Sequence, residues 1–119
     1  MAHQAGVRFG YTMTTGMLAM ADHLLAAGVD VLYYVDQVQD KADLAAVKAK
    51  FGGRMALAGG INSGVTLASG TAAEIREAVG RALAALGPGG FILAPVDALF
   101  PDTPWASVEA MIAAWQELR

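Results

Sequence analysis

The sequence predicts an α/β fold of four consecutive strand–helix units, and three features predict it. Short apolar runs alternate with longer segments in which apolar residues recur every three or four positions. The run Val31-Leu32-Tyr33-Tyr34-Val35 is apolar without alternation, as in strands buried on both faces of a parallel sheet. Glycines and capping residues punctuate the boundaries. Parallel neighbours need crossover connections, and each helical segment supplies one with the usual right hand.

The first strand is predicted over 7–11 and its helix over about 16–27, with Met17, Met20, Ala21, Leu24 and Leu25 on one apolar face and Gly28 as the left-handed stop. The second strand is 31–35. Asp40 then reads as an N-cap, with Asp43 in the first turn of a helix that carries Leu44, Val47 and Phe51 on one side and stops at Gly52-Gly53. A third strand over about 54–58 leads into the loop Gly59-Gly60-Ile61-Asn62-Ser63-Gly64. Thr71-Ala72-Ala73-Glu74 forms a capping box, in which each side chain accepts from the other residue's amide. Ile75, Val79, Leu83 and Leu86 continue that helix's buried face to the stop at Gly87-Pro88-Gly89-Gly90. The fourth strand is 91–94. Asp102-Thr103-Pro104 reads as an N-cap followed by proline at the first helical position, and Val108, Met111, Ile112, Trp115 and Leu118 line the last helix.

The chain has 119 residues, which sets a single domain over 1–119. It is 55% hydrophobic and 16% charged, with a mean hydropathy of +0.44, which excludes intrinsic disorder. A net charge of −3 and a pI near 5.1 give no electrostatic case for nucleic acid or an anionic membrane. No cysteine is present, which excludes disulfides, thiolate nucleophiles and thiolate metal sites. No apolar stretch approaches the ~20 residues of a spanning helix and no signal peptide is evident, so the cytoplasm is the default location. Two architectures fit the alternation. One is an open four-stranded sheet with helices on both faces; the other is the four-unit half of a (βα)₈ TIM barrel, which takes ~250 residues.

In either architecture ligands bind at the carboxyl ends of the strands. That selects the loops 11–15, 36–39, 59–64 and 95–101, with Tyr11, Thr12, Thr14, Asp36, Asn62, Ser63 and Asp97 as the polar residues to name. Asp36 and Asp97 are the catalytic candidates, because a carboxylate at a strand end can move a proton; an ordinary loop or capping aspartate is the alternative for each. Tyr11, Thr12, Gly59, Gly60 and Asn62 are the substrate-binding candidates. The Gly59-Gly60 pair lets backbone approach a ligand, although a tight turn explains it equally well. It is no dinucleotide fingerprint. No metal cluster or catalytic triad can be identified, and no cofactor is expected. His3 reads as part of a mobile terminus, His23 as a helix residue away from the loops, and Met13, Met17 and Met20 as core filler. Lys48, Lys50 and Arg54 read as a solvated helix end.

From about Asp43 onward the chain resembles the uroporphyrinogen decarboxylase family, which includes the cobamide-dependent methyltransferases. Three stretches carry the resemblance: Phe51-Gly52-Gly53-Arg54-Met55-Ala56-Leu57-Ala58-Gly59-Gly60-Ile61-Asn62, then Gly70-Thr71-Ala72-Ala73-Glu74-Ile75, and last Phe91-Ile92-Leu93 through Leu99-Phe100-Pro101-Asp102-Thr103-Pro104 to Val108-Glu109-Ala110. The segment from Val7 to Gln37 fits the two preceding units by pattern more than by letters. The resemblance implies a place on the C-terminal half of a (βα)₈ barrel and a decarboxylase-like (lyase) or methyltransferase-like activity. The decarboxylases' essential aspartate and arginines belong to the other half. Their late histidine corresponds to Asp97, and the methyltransferases' zinc ligands correspond to the loops at Tyr11-Thr12-Met13 and Val96-Asp97, where neither His nor Cys stands. What the resemblance leaves is a cavity for a polycarboxylated tetrapyrrole or another anionic small molecule.

A half-barrel exposes two strand edges and one apolar sheet face. A homodimer, or a partner supplying the other half, is therefore expected to complete it. Three functional readings follow: an enzyme active only in the completed barrel, a non-catalytic binding module, and a structural fragment.

Overall fold

A computed structural model describes all 119 residues. After a 3₁₀ turn at His3–Ala5 the elements are β1 (Gly10–Thr12), α1 (Ala21–Ala26), β2 (Val31–Val35), α2 (Leu44–Phe51), β3 (Ala56–Asn62), a π-helical turn at Ser63–Leu67, α3 (Ala72–Leu86), β4 (Phe91–Val96) and α4 (Trp105–Leu118). The strands form one parallel sheet in the order β1-β2-β3-β4. With right-handed crossovers, an unreversed order puts every helix on the same face of the sheet. The open sheet with helices on both faces is thereby ruled out, and the chain is a (βα)₄ half-barrel.

Burial follows from that one-sided cover. The register row Tyr11, Leu32, Leu57, Phe91 turns toward the helices, and Leu32 and Leu57 are buried in the core. The next row, Thr12, Tyr33, Ala58, Ile92, turns away from them, and there Tyr33 is 42% and Ile92 53% exposed. Met17, Ala21, Val47, Phe51, Ile75, Val79, Ala82 and Leu86 fill the helix-side core. α3 packs on β3 and β4, and α4 packs on α3.

Several boundaries differ from the sequence reading. β1 begins at Gly10 rather than residue 7, and α1 is shortened to Ala21–Ala26. The segment before α1 is instead a turn tied across to the next unit: the Asp40 carboxylate accepts from the amides of Gly16 (2.5 Å) and Met17 (3.3 Å). Asp40 is thus occupied there, and Asp43 caps α2 by accepting from the Ala45 amide at 2.9 Å. β3 starts at Ala56 and runs through the diglycine to Asn62, so Gly59 and Gly60 lie inside a strand rather than in a loop. β4 extends to Val96 and includes Pro95, which an edge strand tolerates because its missing N–H removes no ladder bond on the open side. Pro104 itself stands at the N-cap of α4, and Asp102 gives no cap; Thr103 Oγ1 accepts from the Phe100 amide at 3.1 Å, closing the turn that precedes the helix. On α4, Ile112 faces outward while Val108, Met111 and Ala114 face in. Met20 is likewise exposed. The capping box at Thr71 and Glu74 is present as read.

Candidate functional site

The carboxyl ends of β2 and β3 meet in a register shift. Tyr33 pairs with Ala58 and Val35 with Gly59, so Tyr34 is an extra residue, held at φ 70°. This bulge explains how Leu32 and Val35, three positions apart, both lie in the helix-side core; strict alternation would send them to opposite faces. With Val35 turned to the helices, Asp36 is turned toward Asn62 at the end of β3. The Asn62 Nδ2 donates to Asp36 Oδ2 at 2.8 Å.

Both residues are almost fully enclosed, Asp36 at 0% and Asn62 at 2% exposure. Asp36 Oδ1 accepts from the Val38 amide at 2.8 Å, an Asx-type turn that fixes the loop after β2. Asn62 Oδ1 accepts from the Val65 amide at 2.7 Å and caps the π-helical turn. One carboxylate and one amide therefore lock two neighbouring strand-end loops to each other. A carboxylate has about four acceptor sites, and protein donors occupy only part of that capacity. Ser63 follows directly, with its hydroxyl buried and without a hydrogen-bond partner.

The other candidates are placed as follows. Asp97 comes one residue after Val96, the register partner of Asn62, so Asp36, Asn62 and Asp97 mark the ends of three consecutive strands. Asp97 is half-buried at φ 68°. Tyr11 and Thr12 lie on β1 and are exposed, and Tyr11 packs edge-to-face on Phe9 with centroids 6.5 Å apart. Gly59 lies against the Val35 backbone, and the space a Cβ at Gly60 would need is bounded by Ala82 and Phe91. Both glycines thus serve the packing of β3. Thr14 belongs to the turn before α1.

The four strand-end loops together carry Asp36, Asp40, Asp43, Asp97 and Asp102 against one cation, Lys41. No group of three His, Asp or Glu side chains is arranged to hold a metal ion. The residues on these loops do not fit the zinc of the methyltransferases: His23 is exposed on α1, and His3 pairs with Asp30 at 2.7 Å beside the start of β2.

The bulge at Tyr34 and the interloop role of Asp40 were not legible in the sequence. An unbroken apolar run such as 31–35 carries no mark of which residue is extra, and an aspartate ahead of a helix looks the same whether it caps that helix or reaches across to another loop.

The sequence profile of the family "Uroporphyrinogen decarboxylase (URO-D)" matches residues 8–118. No curated protein sequence matches the chain. Among solved structures, a methyltransferase from Methanosarcina mazei is similar in fold, with a TM-score of 0.77 and 24% identity over 98% of this chain and 33% of that one. The chain thus spans about a third of the length of that protein. A profile match over nearly the whole chain, on four parallel βα units in barrel order, places this chain in the uroporphyrinogen decarboxylase family.

Proposed function

We propose that the chain forms one wall of a barrel site that binds a small molecule of the tetrapyrrole-carboxylate type at the carboxyl ends of β2, β3 and β4. The observation that carries this reading is the Asp36–Asn62 pair: a buried carboxylate, fixed by an amide, with acceptor capacity to spare. A polypyrrole presents N–H donors from its rings and carboxylates from its rim. The N–H groups suit the spare acceptor positions of Asp36, once the loop after β2 uncovers them. The rim carboxylates point away from the acidic strand-end loops, to solvent.

The opposite wall comes from a second copy. Two copies about an axis parallel to the strands set β4 of each beside β1 of the other, close eight parallel strands and cover Tyr33 and Ile92. Chemistry, decarboxylase-like or methyltransferase-like, belongs to the closed barrel, with Asp36 and Asp97 as the proton-transfer groups and Thr12 and Asn62 at the mouth; Tyr11, turned to the helices with Leu32, is not among them. A non-catalytic binding module is the second reading. It is favoured by Asp97 standing where the decarboxylases carry histidine.

The test is fluorescence titration of a carboxylated porphyrin with the full chain, beside light scattering over a dilution series. Saturable quenching that weakens at least tenfold in Asp36→Ala, from a species of twice 12.3 kDa, is the expected result. Quenching indifferent to Asp36 overturns the site, and a concentration-independent monomer overturns closure by a second copy. Turnover of the bound ligand separates enzyme from binding module.

A further inference from the structure

The opposite ends of the strands carry a concavity of about 650 Å³, a volume in the usual range for small-ligand sites. Arg8, Lys48 and Arg54 line it, three of the eight Lys and Arg residues of a chain whose net charge is −3. Lys48 and Arg54, which the sequence suggests are a solvated helix end, are thus gathered into one hollow. The single acid in its wall, Asp30, is already engaged: its carboxylate accepts from the Phe9 amide (2.7 Å), from Arg8 (3.1 Å) and pairs with His3 (2.7 Å).

The remaining donors have spare capacity. Lys48 Nζ is pinned by the carbonyls of Leu86 (2.5 Å) and Gly89 (2.8 Å), leaving one of its three N–H groups. Arg54 gives one N–H to the Lys50 carbonyl and Arg8 one to Asp30, out of five on each guanidinium. The amides of Gly53, Gly89 and Gly90, also in the wall, donate to no backbone carbonyl. These donors come from three separate segments: the stretch before β1, the α2 end with the α2–β3 turn, and the α3–β4 turn. A carboxylate is satisfied by one guanidinium fork, whereas a phosphate, with three terminal oxygens, takes donors from several directions.

We propose that this hollow at the amino ends of the strands binds the phosphate of a phosphorylated small molecule. It is distinct from the strand-end pair, since Ala56 and Asn62 stand at opposite ends of β3, about 20 Å apart at 3.3 Å per residue. It therefore stands whether or not the porphyrin reading does.

The test is an amide NMR titration of the full chain with inorganic pyrophosphate, and separately with citrate, at constant ionic strength. The expected result is saturable shifts at Gly53, Gly89 and Gly90, an apparent Kd raised at least fivefold in Arg54→Gln and in Arg8→Gln, and partial recovery in Arg54→Lys. Lys48 is left in place because it also holds the end of α3. Shifts that track ionic strength without saturating, or that persist unchanged in both Gln variants, overturn the site. Citrate binding as tightly as pyrophosphate overturns the assignment to phosphate.

Discussion

Gly59 lies directly against the peptide of Val35: a Cβ at Gly59 would stand 2.6 Å from the Val35 carbonyl oxygen and 2.7 Å from its nitrogen. The contact sits at the Tyr34 bulge, where the shifted register sets Val35 opposite Gly59. Its φ of 140° also belongs to a region that other residues rarely enter. Gly59→Ala should cost at least about 3 kcal/mol, combining backbone strain with a clash that no side-chain rotation relieves. Gly53→Ala, at φ 78° but in open space, should cost about 1 kcal/mol. Urea unfolding midpoints of the two variants check the contrast; equal losses would mean that the Val35 contact is not what demands glycine.

Asn62→Ala removes the donor to Asp36 and the acceptor for the Val65 amide together. The loss should be about 2–4 kcal/mol, since a buried carboxylate is left underpaired. The double variant with Asp36→Ala should be less destabilised than the sum of the two singles, with a coupling of about 1 kcal/mol or more. Strict additivity in a double-mutant cycle would show that the two side chains do not act as a pair.

The Asp30 carboxyl is held down to about 2, first by the Phe9 amide and then by His3 and Arg8. A carboxyl whose folded value lies below its ordinary 3.8 stabilises the fold fully above that value and progressively less as pH falls toward 2. Asp22, Glu74 and Glu117 are lowered as well, by Lys50, Thr71 and Arg76 respectively, so acid weakens the wild type at several points. The informative quantity is the difference between wild type and Asp30→Asn. It should shrink as pH falls below about 4, read as unfolding midpoints at each pH.

Thr71→Ala should cost about 1 kcal/mol through loss of the N-cap of α3. Glu74→Ala removes the reciprocal half, in which the Glu74 carboxylate accepts from the Thr71 amide at 2.8 Å. Because both side chains close one ring, the double variant should cost less than the two singles summed, as thermal unfolding would show.

The strand–helix order was legible because it rests on local chemistry. The capping box is complete within four residues, and the buried faces of α2 and α3 follow helical spacing through Val47, Phe51, Ile75 and Val79. The extent of β3 was not legible, since Gly59-Gly60 has the composition of a turn and only its pairing with Leu93 and Ala94 of β4 makes it a strand. Asp36 and Asn62 were each visible as strand-end polar residues. Their hydrogen bond was not, because it depends on a register shift that no spacing in the sequence records. The basic hollow escaped for a similar reason: Arg8 and Arg54 lie far apart in the chain and meet only through the β1-β2-β3 order.

That unreversed order has a consequence for how such a molecule changes over evolutionary time. Each strand is paired only with the units that precede and follow it in the chain, so a further strand–helix unit added at either margin meets a ladder of the same polarity and helices on the same side. Nothing already in place has to be re-threaded. The number of units is therefore a quantity that duplication and fusion can alter one step at a time, while the Asp36–Asn62 joint, set between two inner units, is carried along unchanged.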